Sequence, residues 1–184
     1  MRTIAIIPAR GGSKRLPKKN IFPWHNKPLM AYTIEVCQAC PFIDAVYVSS
    51  DDEEILAVAQ QYGAIPLARP AHLADDHVPK IVAVRQASED PAVGILDRDD
   101  IIIVAQANSP TMQSTQLEQA WQMMQAHHLW EVMSTSADGV QNAAFRLVRQ
   151  HALYNTFLSA HCGFIVAENP DIHTLEDLEA LDKK

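Results

Sequence analysis

Uninterrupted apolar runs alternate along this chain with segments whose apolar residues recur every three to four positions. Residues 3 to 7 are apolar or β-branched without alternation, the pattern of a strand covered on both faces, as in a parallel sheet. Residues 29 to 40 then read as an amphipathic helix with Met30, Ile34 and Cys37 on one face, 45 to 49 as a second strand, and 52 to 62 as a helix that Gly63 stops. A short strand at 65 to 68, a helix at 79 to 88 and a strongly apolar strand at 100 to 105 continue the alternation. A further helix at 114 to 126 places Leu117, Ala120, Trp121 and Met124 on one side. Beyond it, 131 to 136, 143 to 148 and 161 to 167 are strand candidates, and 175 to 181 is a final helix. Strands that alternate with helices imply βαβ units, hence an α/β fold with a mostly parallel central sheet and helices on both faces, expected here as one domain over residues 1–184.

The residues after the first strand cannot continue it. Pro8 lacks an N–H, Gly11 and Gly12 permit positive φ and close backbone approach, and Arg10, Lys14, Arg15, Lys18 and Lys19 crowd into ten residues. A loop at the carboxyl end of a parallel strand that combines free backbone N–H groups with Arg and Lys suits a polyphosphate. A solvated basic face is the plainer alternative. The loop has neither the G-x-x-x-x-G-K-[ST] nor the G-x-G-x-x-G spacing, which disfavours a P-loop kinase and a dinucleotide-binding dehydrogenase.

Composition narrows the setting. The 184 residues suffice for one core that removes about two-thirds of the unfolded surface from water. No apolar stretch reaches the length of a membrane span and no signal segment opens the chain, so a cytoplasmic, soluble enzyme is expected, with no membrane partner. The net charge of −7 argues against nucleic acid, and it sets the basic loop apart from the overall balance. Cys37 and Cys40 are spaced C-x-x-C but lie on a helix with apolar periodicity, where two core thiols are expected rather than a redox or zinc pair.

The run Ile7-Pro8-Ala9-Arg10-Gly11-Gly12-Ser13-Lys14-Arg15-Leu16-Pro17-Lys18-Lys19-Asn20 resembles the signature of the acylneuraminate cytidylyltransferases, which make CMP-activated nonulosonic acids of the sialic, legionaminic and pseudaminic types. Three later segments resemble the family in the same order. Val48 to Ile55 looks like its second strand and exit loop, although a strand followed by an acid-rich helix cap reads the same way. Arg69-Pro70-Ala71-His72-Leu73-Ala74-Asp75-Asp76 looks like R-P-x-x-L-A-x-D, and Gln106-Ala107-Asn108-Ser109-Pro110 like Q-P-T-S-P with Ala and Asn substituted. The resemblance implies a three-layer, Rossmann-like nucleotidyltransferase fold. It also implies transfer of CMP from CTP to the anomeric hydroxyl of an acidic nine-carbon sugar, with release of pyrophosphate.

On that basis Arg10, Lys14 and Lys19 with the backbone of Gly11, Gly12 and Ser13 would hold phosphates. Asn20, Arg69, Gln106 and Ser109 would contact the nucleotide or substrate, and Arg10, Lys19 and Asp171 would be catalytic. The family's D-I-D-T-x-x-D-L segment, whose two aspartates bind Mg²⁺, here reads Asp171-Ile172-His173-Thr174-Leu175-Glu176-Asp177-Leu178. Asp171 and His173 are therefore the implied metal ligands, and the imidazole removes a charge and a hard oxygen donor. Thr174 as cap of the last helix, with Glu176 and Asp177 at its positive end, is the structural alternative.

The region before residue 163 is short for the family and lacks its R-P-N-G pattern, so sugar recognition and assembly transfer least. A homodimer with a small interface, or a monomer in which Phe145, Leu147, Phe157 and Phe164 fold back on the sheet, both remain open. A nucleotidylyltransferase for another sugar acid, such as 3-deoxy-manno-octulosonate, and an inactive nucleotide-binding homologue are the alternative functions.

Overall fold

The computed structural model describes residues 1–183. Strand β1 (Thr3–Pro8) is enclosed on both faces, with Ile4, Ala5, Ile6 and Ile7 wholly buried. The loop after it leads to a small hairpin, β2 (Pro23–Trp24) and β3 (Lys27–Pro28), whose turn residues His25 and Asn26 have positive φ. Next come α1 (Leu29–Gln38), β4 (Ala45–Ser50), α2 (Glu53–Gln61), β5 (Ile65–Ala68), α3 (Lys80–Ser88), β6 (Ile101–Ala105) and α4 (Ser114–Ala126). Helix α2 starts where Asp52 accepts the N–H groups of Glu54 and Ile55, and it is left at Gly63, whose φ is +77°.

The last third contains β7 (Glu131–Thr135), β8 (Gln141–Arg149), β9 (Cys162–Val166) and α5 (Leu175–Leu181). The seven-stranded sheet has the order β5-β4-β1-β6-β8-β7-β9. Strands β5, β4, β1 and β6 are mutually parallel, whereas β8 runs antiparallel to both β6 and β7. The sheet is thus mostly parallel, as expected. The reversal is made by a turn after β7 in which Gly139 takes φ +81° and the Ser136 N–H donates back to the Val140 carbonyl.

Alternate residues of each strand serve different faces. Ala5, Ile7, Val48, Ile101 and Ile103 pack on α1, α2 and α4, while Ile4, Ile6, Tyr47, Ile102 and Val104 pack on Val84 and Ala87 of α3. Both C-x-x-C thiols lie in the first of these cores, as the helical spacing predicts. Burial pushes Cys40 up to about 11 and Cys37 further still, so neither is a nucleophile. A third cluster joins Leu16 of the first loop to Leu29, Ile172 and Leu178, which fastens α5 beneath that loop.

Not every apolar residue of the last third is covered. Phe145 and Leu147 are buried, but Phe157 is 85% and Phe164 48% exposed, beside exposed Leu158 and Val166. Folding back therefore buries two of these four residues and leaves the other two on the β9 side of the sheet. Strand β9 pairs only with β7, and among the described residues no strand lies beyond it to receive them.

Candidate active site

Because β1, β4, β5 and β6 run parallel, their exit loops share one edge of the sheet. The chain passes outward from β1 to β4 and β5, then returns through α3 to β6 on the opposite side of β1. The connections after β1 and β6 diverge at that point and leave a crevice, the place where open α/β sheets bind ligands. A cavity of about 500 Å³ occupies it. Arg10, Ser13, Lys14, Arg15, Lys19 and Asn20 line it from the first loop, Arg69 from the end of β5, Gln106 from the end of β6, and His173 from the C-terminal segment.

The first loop is a built structure. Asn20, itself buried, donates its amide to the Arg10 carbonyl at 2.9 Å and closes the loop across ten residues. Positive φ falls on Lys18, at +53°, and on neither Gly11 nor Gly12, contrary to the sequence expectation for the two glycines. Gly11 is instead required by close approach: a Cβ there would lie 2.5 Å from Asp52 Oδ2 and 2.8 Å from Asp52 Cβ, at the cap of α2. Its N–H donates to Asp51 Oδ1 at 3.1 Å. Lys18 turns away from the crevice to pair with Glu54 at 2.7 Å. Neither glycine lines the cavity, so their backbone is one step removed from the position the phosphate reading gave it.

Charge in the crevice is only partly balanced. Asp76 bridges Arg10, at 2.5 Å, and Lys14. These hydrogen bonds, Lys14's first, hold the Asp76 carboxyl below its ordinary range. Arg69 is buried and meets Asp51 at 3.4 Å, while its Nε has no partner among the described residues. Burial lowers the pKa of Lys19 and of Lys80, and Asp171 opposes the shift in both. His173 is lowered by burial and then by the cations Lys19 and Arg15, which favours a neutral imidazole.

Asp171 lies behind this array. The Ser109 hydroxyl donates to its Oδ1 at 2.7 Å, and Ser109 is wholly buried. Neither residue lines the cavity, and the hydroxyl of Ser109, expected to contact nucleotide, is turned to Asp171. Thr174 caps α5 with Asp177 in a reciprocal capping box, and Asp177 also accepts the His173 N–H at 2.7 Å, so Asp177 is committed to the helix end. No group of three or more His, Cys, Asp or Glu side chains converges as a metal cage among the described residues. One carboxylate with an adjacent neutral imidazole fits an ion that arrives with substrate phosphates, since Mg²⁺ commonly takes one or two carboxylates and fills the rest with phosphate and water.

The sequence reading missed Lys80. It opens α3 directly after Pro79, donates to Gln106 Oε1 and lines the cavity. A single lysine at a helix start gives no sequence signal. Only the packing of α3 beside β1 and β6 brings it to the crevice. A second cavity, of about 330 Å³, adjoins it between α3 and β8, lined by Val104, Asn142, Phe145 and Arg146 among others.

The sequence profile of the cytidylyltransferase family matches residues 4–166. The pseudaminic acid cytidylyltransferase of Campylobacter jejuni is 41% identical over 127 residues, which is 66% of this chain and 53% of that protein. The N-acylneuraminate cytidylyltransferase of Escherichia coli is 38% identical over 127 residues, 68% of this chain and 29% of that protein. The chain thus spans about half the length, or less, of these curated relatives. Among solved structures, CMP:2-keto-3-deoxy-manno-octonic acid synthetase complexed with CTP superposes with a TM-score of 0.80 at 16% identity, covering 100% of this chain and 98% of that one. At that identity the likeness is one of fold, and it agrees with the Rossmann-like nucleotidyltransferase architecture expected from sequence. With the profile covering the whole sheet, the chain belongs to the cytidylyltransferase family.

Proposed function

We propose that this chain transfers CMP from CTP to the anomeric hydroxyl of a nonulosonic acid of the sialic, legionaminic or pseudaminic type, in the cytoplasm. The observation that carries the reading is the convergence of Arg10, Lys14, Lys19 and Arg69 on one crevice at the carboxyl edge of an otherwise acidic protein. In the reaction the hydroxyl oxygen forms a bond to the α-phosphorus and gives up its proton to solvent, the bond from that phosphorus to the β-phosphate oxygen breaks, and pyrophosphate leaves. Positioning and charge neutralisation suffice for such a displacement, so cations held by the fold are the principal requirement.

Arg10 and Lys14 would take the terminal phosphates in place of Asp76, and Lys19 would stand nearer the α-phosphate, on the side facing Asp171. Arg69, rigid through its burial and its contact with Asp51, would meet the nucleotide. Asn20 holds the loop closed. Mg²⁺, when bound with the nucleotide, would neutralise charge on the phosphates; Asp171 and His173 are the residues that would hold it, with Ser109 fixing the carboxylate. The test is pyrophosphate release with CTP, Mg²⁺ and a panel of nonulosonic acids beside 3-deoxy-manno-octulosonate. Release that depends on a nine-carbon acid is expected. Release only with the eight-carbon acid would reassign the acceptor, and CTP binding without release for any acid would make the chain a nucleotide-binding homologue.

A further inference from the structure

Among the described residues, Lys80 is the one side chain that lines both cavities. Its ammonium is drawn to the neutral amide oxygen of Gln106, which tethers it over the crevice between β1 and β6. Of the other cations lining the crevice, Lys19 and Arg15 also make no ion pair among the described residues, but they border the first cavity alone, and the rest are committed. Arg10 and Lys14 share Asp76, and Arg69 faces Asp51. In the second cavity Arg146 pairs with Glu131, a carboxylate with no exposed surface. Lys80 makes no ion pair with a carboxylate among the described residues, and it stands where the two cavities meet.

We propose that Lys80 receives the carboxylate of the acceptor and sets the preference for an acid, with the cavity between α3 and β8 holding the rest of the acceptor. The inference rests on the transferase reading above and adds to it a residue and a direction. In a 2-keto sugar acid the anomeric carbon bears both the carboxylate and the reacting hydroxyl. A cation at the mouth between the nucleotide crevice and the acceptor cavity can therefore hold the first group while the second faces the α-phosphate. The walls agree with such an occupant: Ile81 and Val104 give the cavity an apolar side, exposed Gln141 adds a hydrogen-bonding group, and Asn142 is held in place by the Ala167 carbonyl and the Ser134 hydroxyl. Lys80 is carried by the helix at its own first turn, directly after Pro79, so its Cα position is fixed by the fold while its four-carbon stem can exchange Gln106 for a carboxylate.

The test compares wild type with Lys80→Gln and Lys80→Arg, using an accepted nonulosonic acid and its methyl ester, with CTP affinity followed separately by calorimetry. Wild type should prefer the acid. Lys80→Gln should raise KM for the acid about 10- to 100-fold, the loss expected for one charge-assisted contact. It should leave the ester almost unaffected and change CTP affinity by less than about threefold; Lys80→Arg should retain part of the preference. An equal loss for acid and ester, or an unchanged KM for the acid, would overturn the proposal. If wild type releases no pyrophosphate with any acid, the transferase reading fails instead. Saturation-transfer NMR of acid binding to the CTP-loaded chain then decides Lys80 separately: binding lost in Lys80→Gln supports it, and binding retained or absent in both refutes it.

Discussion

Ser109 and Asp171 meet at 2.7 Å across 62 residues of sequence, hydroxyl to carboxylate, behind the floor of the crevice. The contact is part of a seam. Asn108 donates its side-chain amide to the Ile172 carbonyl and accepts the Ile172 N–H at 2.9 Å on its own carbonyl. Asn108, which departs from the family's threonine, is thereby a structural residue of this chain. Asp171→Asn should abolish turnover with the thermal midpoint shifted by only a few degrees, because an amide can still accept from Ser109. Ser109→Ala should reduce kcat more than it raises KM for CTP and cost about 1 to 2 kcal/mol of stability. Steady-state kinetics with thermal and urea melts on each variant checks both, and full activity in Asp171→Asn would remove Asp171 from the reaction.

The bridge that Asp76 makes between Arg10 and Lys14 sets a competition with incoming phosphate. Asp76→Asn should tighten CTP several-fold at low salt, with the gain shrinking as ionic strength rises. Arg10→Ala and Lys19→Ala should act in the opposite sense, each weakening CTP by about 1 to 3 kcal/mol. Calorimetric titration of the three variants tests the set. Unchanged affinity in both cation variants would place the triphosphate elsewhere.

At position 173 burial and the cations Lys19 and Arg15 disfavour a charged imidazole, so the metal would find a neutral nitrogen beside Asp171. His173→Asp should lower the Mg²⁺ concentration for half-maximal rate, as an added hard oxygen and negative charge would. The measurement is a Mg²⁺ titration of initial rate at saturating CTP. Identical curves for the two proteins would mean that residue 173 does not contact the ion.

Exposed Phe164 and Val166 on edge strand β9, with exposed Phe157 and Leu158 in the segment that precedes it, leave an apolar margin in the last third of the chain. We expect this margin to support a self-association that is weak at micromolar concentration and lost in Phe157→Ser with Phe164→Thr. Sedimentation velocity over a hundredfold range of concentration checks it, and a tight dimer unaffected by both changes would put the interface on another face.

The parallel half of the fold was legible because its strands are covered on both faces and leave uninterrupted apolar runs, Thr3 to Ile7 and Ile101 to Ala105 above all. Strand direction in the last third was not, since β7, β8 and β9 are legible as runs while the reversal depends on a short turn around Gly139. In the site, residues placed just past a strand end could be located in advance: Arg10, Arg69 and Gln106 all reach the crevice. Lys80 could not, for it comes from the opening of a helix. The contact of Ser109 with Asp171 could not be read in advance either, because sequence shows which loop a residue occupies and not which way its side chain turns.

The Asp76 bridge also bears on what the crevice turns away. Without nucleotide, two of its cations already have a counter-ion from the protein, so the cleft does not present its whole positive charge to passing polyanions. A ligand must carry enough negative charge to displace a carboxylate that is tethered and therefore always at hand. A triphosphate can do so where a monophosphate such as CMP competes poorly, and under the proposed transfer the product, a phosphodiester with a single phosphate charge, would leave a site that closes again on its own acid.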